Sequence, residues 1–539
     1  MERYKLRMNT KISISSIMKI VNILFLIVLE NFVLDCGMGF LGTSLLLMAV
    51  FYTILYGGLQ TGISKMVSIR NSKGLNSNAS RILKPSLIYV ILVGITLFLL
   101  SLFAAETFCV VLWKTSFPAS VIQVMFLIML LNGVVDVICG YQNGNGNAII
   151  MNIANLFKSI LPIPIVFFLL PSFTKYGEKV AALLQNTSAT SAYMALAVAC
   201  VYLLTSVIVL LIVLFLCIRM RMPKNDGKNM RTMDSKRMMY GSIFSSSFKI
   251  SLHQLFPLLS IAATIIIYLH LAGKFNVTAE NIFINSGILF AKVLLPTAFI
   301  LAVFSEYIVR EKYRLHMDYR KQDPKTALVR SQYMIKNSFF MLLPPSIILT
   351  FLADPFVKVF FSGQYNYSAK VLQTGGFIVL FAGVAYALNA IMKASDMELP
   401  ALGIQVLAFI VQILFLILTL NQSGAACMNV IYSFYIYFAI QVVLNFMVLY
   451  RSIRFDLMDI LMKLGKYGAA SIVMMVLFII LDKFVMMNVF LIILSIVLGY
   501  LLYYLTLLAL KAINKKDEMA LKRTLNYYPV AFLRSRLRL

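Results

Sequence analysis

The chain has 539 residues, of which 61% are hydrophobic and only 13% are charged. Its 48 Lys and Arg against 21 Asp and Glu give a formal net charge of +27. Soluble domains have roughly 45–50% apolar and about 25% charged residues. The composition therefore excludes a soluble enzyme and a disordered chain, and it argues against nucleic-acid binding in spite of the charge. It predicts an all-α integral membrane protein.

The apolar residues gather into fourteen segments, each near the length of about 20 residues that a membrane-spanning helix needs. The predicted spans are 14–34, 40–63, 86–106, 118–140, 148–171, 191–218, 242–270, 281–305, 337–361, 369–392, 399–420, 427–450, 467–486 and 488–510. The polar connections between them are too short to hold a soluble domain.

Basic residues lie in alternate connections. If the N-terminus is cytosolic, the cytosolic pieces hold 38 of the 48 Lys and Arg, and the outer loops hold 7. This bias predicts that both termini are cytosolic, in a multi-pass protein of the plasma membrane. It also predicts attraction to anionic membrane lipid. The basic tail after residue 510 is predicted either to lie as a helix on the membrane surface or to form a charged extension.

Ionisable residues inside the spans are the candidates for a transport site, because they are costly in a membrane and usually face a cavity or a partner. Four lysines are predicted to line a cavity for an anionic cargo loaded from the cytosol: Lys19, Lys158, Lys249 and Lys292. Glu30 and Asp136 are candidates for ion coupling or helix pairing. The polar cavity candidates are Asn22, Asn132, His253 and Asn285.

Several of these candidates have a structural alternative, whereas the mid-span position of Lys292 leaves it little room to reach the interface. Lys19 and Lys249 lie near enough to helix ends to extend to the membrane interface. Lys158 could instead form an ion pair with Asp136, and His253 could donate a hydrogen bond between helices.

Neither a metal site nor a catalytic group is predicted. The six cysteines and three histidines have no metal-ligand spacing. The segment 36–42, CGMGFLG, contains a G-x-G-x-x-G pattern without a preceding strand, so we interpret it as a turn between the first two spans.

The order of spans predicts two related lobes, as in many secondary transporters. We predict an N-terminal six-helix lobe (1–218), a basic cytosolic linker (219–241) and a second six-helix lobe (242–450). Two extra spans (451–510) and a basic cytosolic tail (511–539) follow.

Several segments resemble a known family. They are GMGFLGTSLLLMAVFYTILYGGLQTGISKMVS, CGYQNGNGNAIIMNIANLFKSI, LPTAFILAVFSEYIVREKYR and LADPFVKVFFSGQYNYSAKVLQTGGFIVLF. Over residues 12–510 the chain is similar to the polysaccharide and lipid-linked oligosaccharide flippases, nearest to the stage V sporulation protein B group and related to the lipid II flippases. These belong to the multidrug/oligosaccharidyl-lipid/polysaccharide exporter superfamily.

The resemblance implies two six-helix lobes plus two helices, and outward movement of undecaprenyl-pyrophosphate-linked sugars by alternating access. Lys19 matches the first of several arginines that the family carries in its first span, whereas Leu26 and Asn31 depart from that pattern. Lys292 is similar in kind to the cation of the eighth span in lipid II flippases.

We therefore predict a flippase, not an enzyme, in which Lys19, Lys249 and Lys292 attract the pyrophosphate of a lipid-linked sugar. No cofactor is expected, coupling would use an H⁺ or Na⁺ gradient, and a monomer is expected. The rivals are a multidrug/cation antiporter, which should prefer acidic cavity residues, and a membrane glycan polymerase or glycosyltransferase, which needs larger outer loops. A scaffold of the same fold that transports nothing is a third.

Overall fold

The computed structural model describes residues 14–113, 115–219, 236–275, 277–363, 365–423, 427–482 and 489–512. Within these ranges the secondary structure is helical and no residue lies in a β-strand, which confirms the predicted all-α class. Most of the predicted linker (219–241) and tail (511–539) falls outside the described residues.

Within the described residues, most helices follow one another with short connections. In chain order they are α1 (Ile14–Leu55), α2 (Leu59–Ser72), α3 (Asn76–Ser80), α4 (Leu83–Trp113), α5 (Pro118–Gly144), α6 (Ala148–Ile160), α7 (Pro162–Leu184), α8 (Ser188–Arg219), α9 (Lys236–Ala272), α10 (Ala279–Ile288), α11 (Leu295–Arg320), α12 (Pro324–Phe351), α13 (Ala353–Phe360), α14 (Tyr365–Gly375), α15 (Ile378–Ala394), α16 (Glu398–Ser423), α17 (Met428–Ile453), α18 (Leu457–Asp482) and α19 (Val489–Ala509).

Thirteen helical stretches in the described part of the chain are long and apolar enough to cross a membrane. The first of them, Ile17–Ser72, has 56 residues and covers both of the first two predicted spans. At 1.5 Å per residue it measures about 84 Å, more than twice the roughly 30 Å of a hydrocarbon core. Its helical path breaks at Leu34, where φ is 63° and ψ is 169°.

The glycines of segment 36–42 lie within helix, so the interpretation of this segment as a turn is wrong. They allow close packing, because a Cβ atom on Gly39 would come 2.1 Å from the carbonyl oxygen of Phe283. A Cβ atom on Gly42 would come 2.6 Å from the ring of Phe290. Small residues at such contacts let membrane helices approach closely.

Two of the predicted spans are not continuous α-helices. Predicted span 148–171 is split into α6 and α7 at Pro162, which begins α7 because proline lacks the N–H that a helix interior uses. Predicted span 281–305 contains a π-helical turn, Leu289–Leu294, between α10 and α11.

The polar connection 306–336 is mostly helical, since α11 continues to Arg320 and α12 begins at Pro324. Asp323 caps α12 by accepting a hydrogen bond from the backbone N–H of Thr326 at 3.2 Å. Hydrogen bonds from the Thr326 hydroxyl and backbone lower the pKa of this exposed carboxyl group.

The chain divides into two compact units. The first unit comprises Leu24–Ala291 and Ile413–Val430; the second comprises Met1–Ile23, Lys292–Gln412 and Ile431–Leu539. The predicted lobe boundaries stay a prediction. In the first unit, α5, α6 and α8 enclose a core that includes Cys139, Ile150 and Val209. In the second unit, α18 and α19 pack on α12 through residues such as Tyr467, Phe478 and Ile347, so the two extra spans have a core with that unit.

Candidate functional site

A charged pair joins two neighbouring helices of the first unit. Lys158 of α6 lies 3.4 Å from a carboxylate oxygen of Asp136 in α5, and 24% and 20% of the two side chains are exposed. The turn between α5 and α6 explains the meeting, because Asp136 lies 8 residues before the end of α5 at Gly144 and Lys158 lies 10 residues after the start of α6 at Ala148. Residues at similar distances from a tight turn face each other in antiparallel helices.

A hydroxyl group completes this pair. Tyr52 of α1 donates a hydrogen bond to the second carboxylate oxygen of Asp136. The 3.4 Å distance between Lys158 and Asp136 confirms the predicted alternative, an ion pair between them. A charge inside a membrane-spanning helix is costly unless an opposite charge lies beside it, and each member of this pair meets that need for the other.

The polar surroundings of Asp136 extend along α1 and α5. Asn132 lies one turn before Asp136, and its Oδ1 atom is buried with no hydrogen-bond partner among the described residues. Tyr56 directly follows the end of α1. Its ring lies 5.6 Å from that of Tyr52, and its hydroxyl donates to the carbonyl oxygen of Val90 at 2.9 Å. Sequence reasoning missed these tyrosines, although their spacing of four residues on one helix face was a usable signal.

Lys292 occupies a different environment in the second unit. It lies in the π-helical turn Leu289–Leu294, and 0% of the residue is exposed. Its ammonium group donates hydrogen bonds to the carbonyl oxygen of Ser362 at 2.7 Å and to the hydroxyl of Ser368 at 3.2 Å. π-Helical turns are rare and are frequently found at functional sites. In this conformation, therefore, the ammonium of Lys292 is held inside the protein and is not presented to solvent.

The other predicted residues are scattered. Lys19 is exposed and Asn22 is half-buried near the start of α1, whereas Glu30 further along is buried. His253 is half-buried in α9. The side chain of Lys249 lies outside the described residues.

Asn285, also half-buried, donates a hydrogen bond to the hydroxyl of Tyr268 at 3.2 Å. Of the predicted site residues, Asp136 and Lys158 are the pair that the structure places in direct contact.

A buried amide network in the second unit was not predicted. Asn389 of α15 donates to the Oε1 atom of Gln441 at 3.0 Å and accepts from the amide of Asn445 at 3.1 Å, both on α17. The exposed fractions of these residues are 7%, 2% and 0%. The network is neutral. Asn389 and Gln441 are 52 positions apart in the sequence, so no local spacing of residues predicts that they meet.

Among the residues that the structure describes, no group of three or more His, Cys, Asp and Glu could hold a metal ion. The charged pair of Asp136 and Lys158 and the buried Lys292 are the ionisable groups of the predicted site for which the structure gives specific partners.

Comparison with known proteins supports the fold assignment. No protein-family model and no curated protein matches this sequence. Among solved structures, it is similar to an inward-facing multidrug resistance MATE family transporter of the MOP superfamily (16% identity, TM-score 0.62, 84% of this chain and 98% of that chain). It is also similar to the lipid II flippase MurJ in an inward closed conformation (16% identity, TM-score 0.62, 91% of this chain and 96% of that chain).

A MOP superfamily transporter from Pyrococcus furiosus is a further likeness, with 16% identity, a TM-score of 0.54, and coverage of 82% of this chain and 95% of that chain. At these identities the likeness concerns the backbone. The chain is a multi-pass membrane protein with the fold that these exporters and the lipid II flippase share.

Proposed function

We propose that the chain is a transporter that moves an undecaprenyl-pyrophosphate-linked glycan precursor of the cell envelope from the cytosolic to the outer leaflet by alternating access. It would act in the plasma membrane with both termini in the cytosol, and it would not be an enzyme.

The observation that carries this proposal is the extent of the structural likeness. The lipid II flippase covers 91% of this chain, whereas the multidrug transporters cover 82–84%. The difference is about the length of two spanning helices. We attribute this difference to α18 and α19, which pack on α12 in the second unit, and on that attribution the two helices favour the flippase over the drug transporter.

The sign of the charges supports an anionic cargo. We propose that Lys19, which is exposed, and Lys249 attract the pyrophosphate on the cytosolic side. Lys292 would join them only after its bonds to Ser362 and Ser368 break, so we assign it to a later stage of the cycle. Its three N–H groups could then pass from protein oxygens to phosphate oxygens.

Asp136 is the proposed coupling residue. A proton or Na⁺ bound at its carboxylate would compete with the ammonium of Lys158, 3.4 Å away, and would free Lys158 for the cargo. Binding and release of the ion would thereby break and re-form the contact between α5 and α6 in the first unit. Glu30, which is buried in α1, is a second candidate for this role.

A reconstituted flipping assay tests the proposal. Proteoliposomes would carry an undecaprenyl-pyrophosphate saccharide with a fluorescent sugar label, and a membrane-impermeant quencher would report the fraction that changes leaflet. We expect wild type to flip this lipid and Lys292→Met to be at least about tenfold slower, a loss of about 1.4 kcal/mol in the transition state. Lys274→Met, at an exposed position, should match wild type.

The drug-antiporter alternative has its own support, since the inward-facing exporter has the same TM-score as the lipid II flippase. It predicts that a lipophilic cation, and not the labelled lipid, crosses the proteoliposome membrane in exchange for H⁺ or Na⁺. That result would overturn the flippase proposal.

A further inference from the structure

An apolar groove lies in the first unit beside the first turns of α4. It encloses about 300 Å³ and is walled by the junction of α1 and α2, by α4 and by α9. Leu55, Leu59, Ile88, Leu92 and Phe248 supply much of its lining. Neither the charged pair nor the amide network belongs to it.

The rim of the groove is apolar and exposed. The exposed fractions are 49% for Ile88, 60% for Leu92 and 42% for Phe248. On helices that cross a membrane, such side chains face lipid and not water. Along α4 the lining runs from Pro85 to Leu92, about 10 Å at 1.5 Å per residue. This depth lies within one leaflet of a core that is about 30 Å thick, which suits an acyl chain.

The groove also contains a buried hydroxyl group. Ser247 lines it and is 7% exposed, and its Oγ atom has no hydrogen-bond partner within the described ranges. Two other lining hydroxyls are engaged, because Ser86 donates to the carbonyl oxygen of Ile82 at 2.9 Å and Ser251 donates to that of Ser247 at 3.1 Å. The hydroxyl of Ser247 can therefore donate to a ligand, such as the ester carbonyl of a glycerolipid.

Positive charge lies at the end of the groove where α4 begins. Lys84 is exposed and directly precedes Pro85, a lining residue. Arg81 lies three residues earlier, and α4 starts at Leu83, so the positive end of the helix dipole adds to the two cations. The predicted topology places this connection in the cytosol. The charge thus complements a phosphate of the inner leaflet.

We propose that the groove binds one anionic phospholipid of the membrane, with an acyl chain between α1, α4 and α9, its phosphate at Lys84 and Arg81, and its ester beside Ser247. The site is separate from the transported cargo and does not depend on the proposed function. The lipid would add to the packing between the start of α4 and α9, two helices that both line the groove.

Native mass spectrometry of the full chain with added phosphatidylglycerol or phosphatidylcholine tests this site. We expect wild type to retain one phosphatidylglycerol. Ile88→Trp and Leu92→Trp fill the groove from its rim and should reduce retention about tenfold. Ile95→Trp is the matched control, because Ile95 is 43% exposed on the same helix but does not line the groove. Lys84→Gln should reduce retention about fivefold, and the exposed Lys73→Gln should not.

Each contrary outcome removes a defined part of the proposal. Equal retention by wild type and by both tryptophan variants, when these elute and unfold like wild type, would overturn the groove. Phosphatidylcholine retained as well as phosphatidylglycerol would overturn the preference for an anionic lipid, since both lipids carry the phosphate. No effect of Lys84→Gln would overturn the phosphate site. Displacement of phosphatidylglycerol by an equal amount of undecaprenyl phosphate would assign the groove to the cargo lipid instead.

Discussion

Two lysines at membrane depth are stabilised in contrasting ways. Lys158 of the first unit is partly exposed and lies 3.4 Å from the carboxylate of Asp136. Lys292 of the second unit is fully buried in a π-helical turn, where it donates to the carbonyl of Ser362 and the hydroxyl of Ser368. The first lies beside an opposite charge; the second donates hydrogen bonds to two neutral oxygens. The proposed function accordingly gives the two lysines different steps: Lys158 would act with Asp136 in coupling, and Lys292 would contact the cargo.

The largest effect is expected from Asp136→Asn. It leaves the ammonium of Lys158 without its carboxylate and weakens the hydrogen bond from Tyr52. Breaking one side of a buried pair costs about 3–5 kcal/mol, and the exposure of about a fifth of each side chain reduces this to about 2 kcal/mol. Thermal unfolding in detergent measures the loss.

The double variant Asp136→Asn with Lys158→Met is the control for this prediction. It removes both charges, so most of the lost stability should return. A double variant that is no more stable than Asp136→Asn would contradict the balanced pair.

Lys292→Met should have a smaller effect on stability, about 1 kcal/mol. It deprives Ser362 and Ser368 of a donor, which destabilises the fold, but it also removes the desolvation cost of a buried ammonium, which offsets part of the loss. Unfolding by heat, compared with the exposed Lys274→Met, gives the difference. A loss equal to that of Asp136→Asn would break the contrast between the two lysines.

The amide network of Asn389, Gln441 and Asn445 adds a third case to the comparison of the two lysines, because it is buried and polar but carries no charge. Asn389 makes bonds to both Gln441 and Asn445, whereas Asn445 makes one. Asn389→Leu should therefore destabilise by about 1 kcal/mol and Asn445→Leu by about half of that, as hydrogen bonds between membrane helices contribute about 0.6 kcal/mol each. Equal losses in a thermal unfolding series would contradict the central place of Asn389.

The sequence predicts features that depend on neighbouring residues better than features that depend on residues far apart in the chain. The spans follow from apolar runs, and the pair of Asp136 and Lys158 follows from a short turn between two helices. The break at Leu34, the burial of Lys292 and the bond between Asn389 and Gln441 depend on packing between distant segments. No local sequence pattern predicts these three features. The glycines of segment 36–42 did not distinguish a turn from a close helix contact, because glycine is common in both.

The smallest effect concerns the cap of α12. Folding lowers the pKa of Asp323, so its stabilising contribution is present above the pKa of the unfolded chain and is lost as the pH falls through the lower folded value. Amide exchange at the start of α12 should therefore rise in acid. Asp323→Asn keeps a cap residue but has no carboxyl group, and its exchange should not respond to pH in this way once corrected for the intrinsic rate.

The central claim concerns the cargo, and mass spectrometry of lipids that co-purify with the protein tests it most directly. Wild type, Lys292→Met and Lys274→Met would be purified in equal amounts under identical conditions. The account predicts a polyprenyl-pyrophosphate sugar on wild type and on Lys274→Met, and its depletion on Lys292→Met. Bulk phospholipid alone on all three proteins would contradict the claim that the chain carries a lipid-linked glycan.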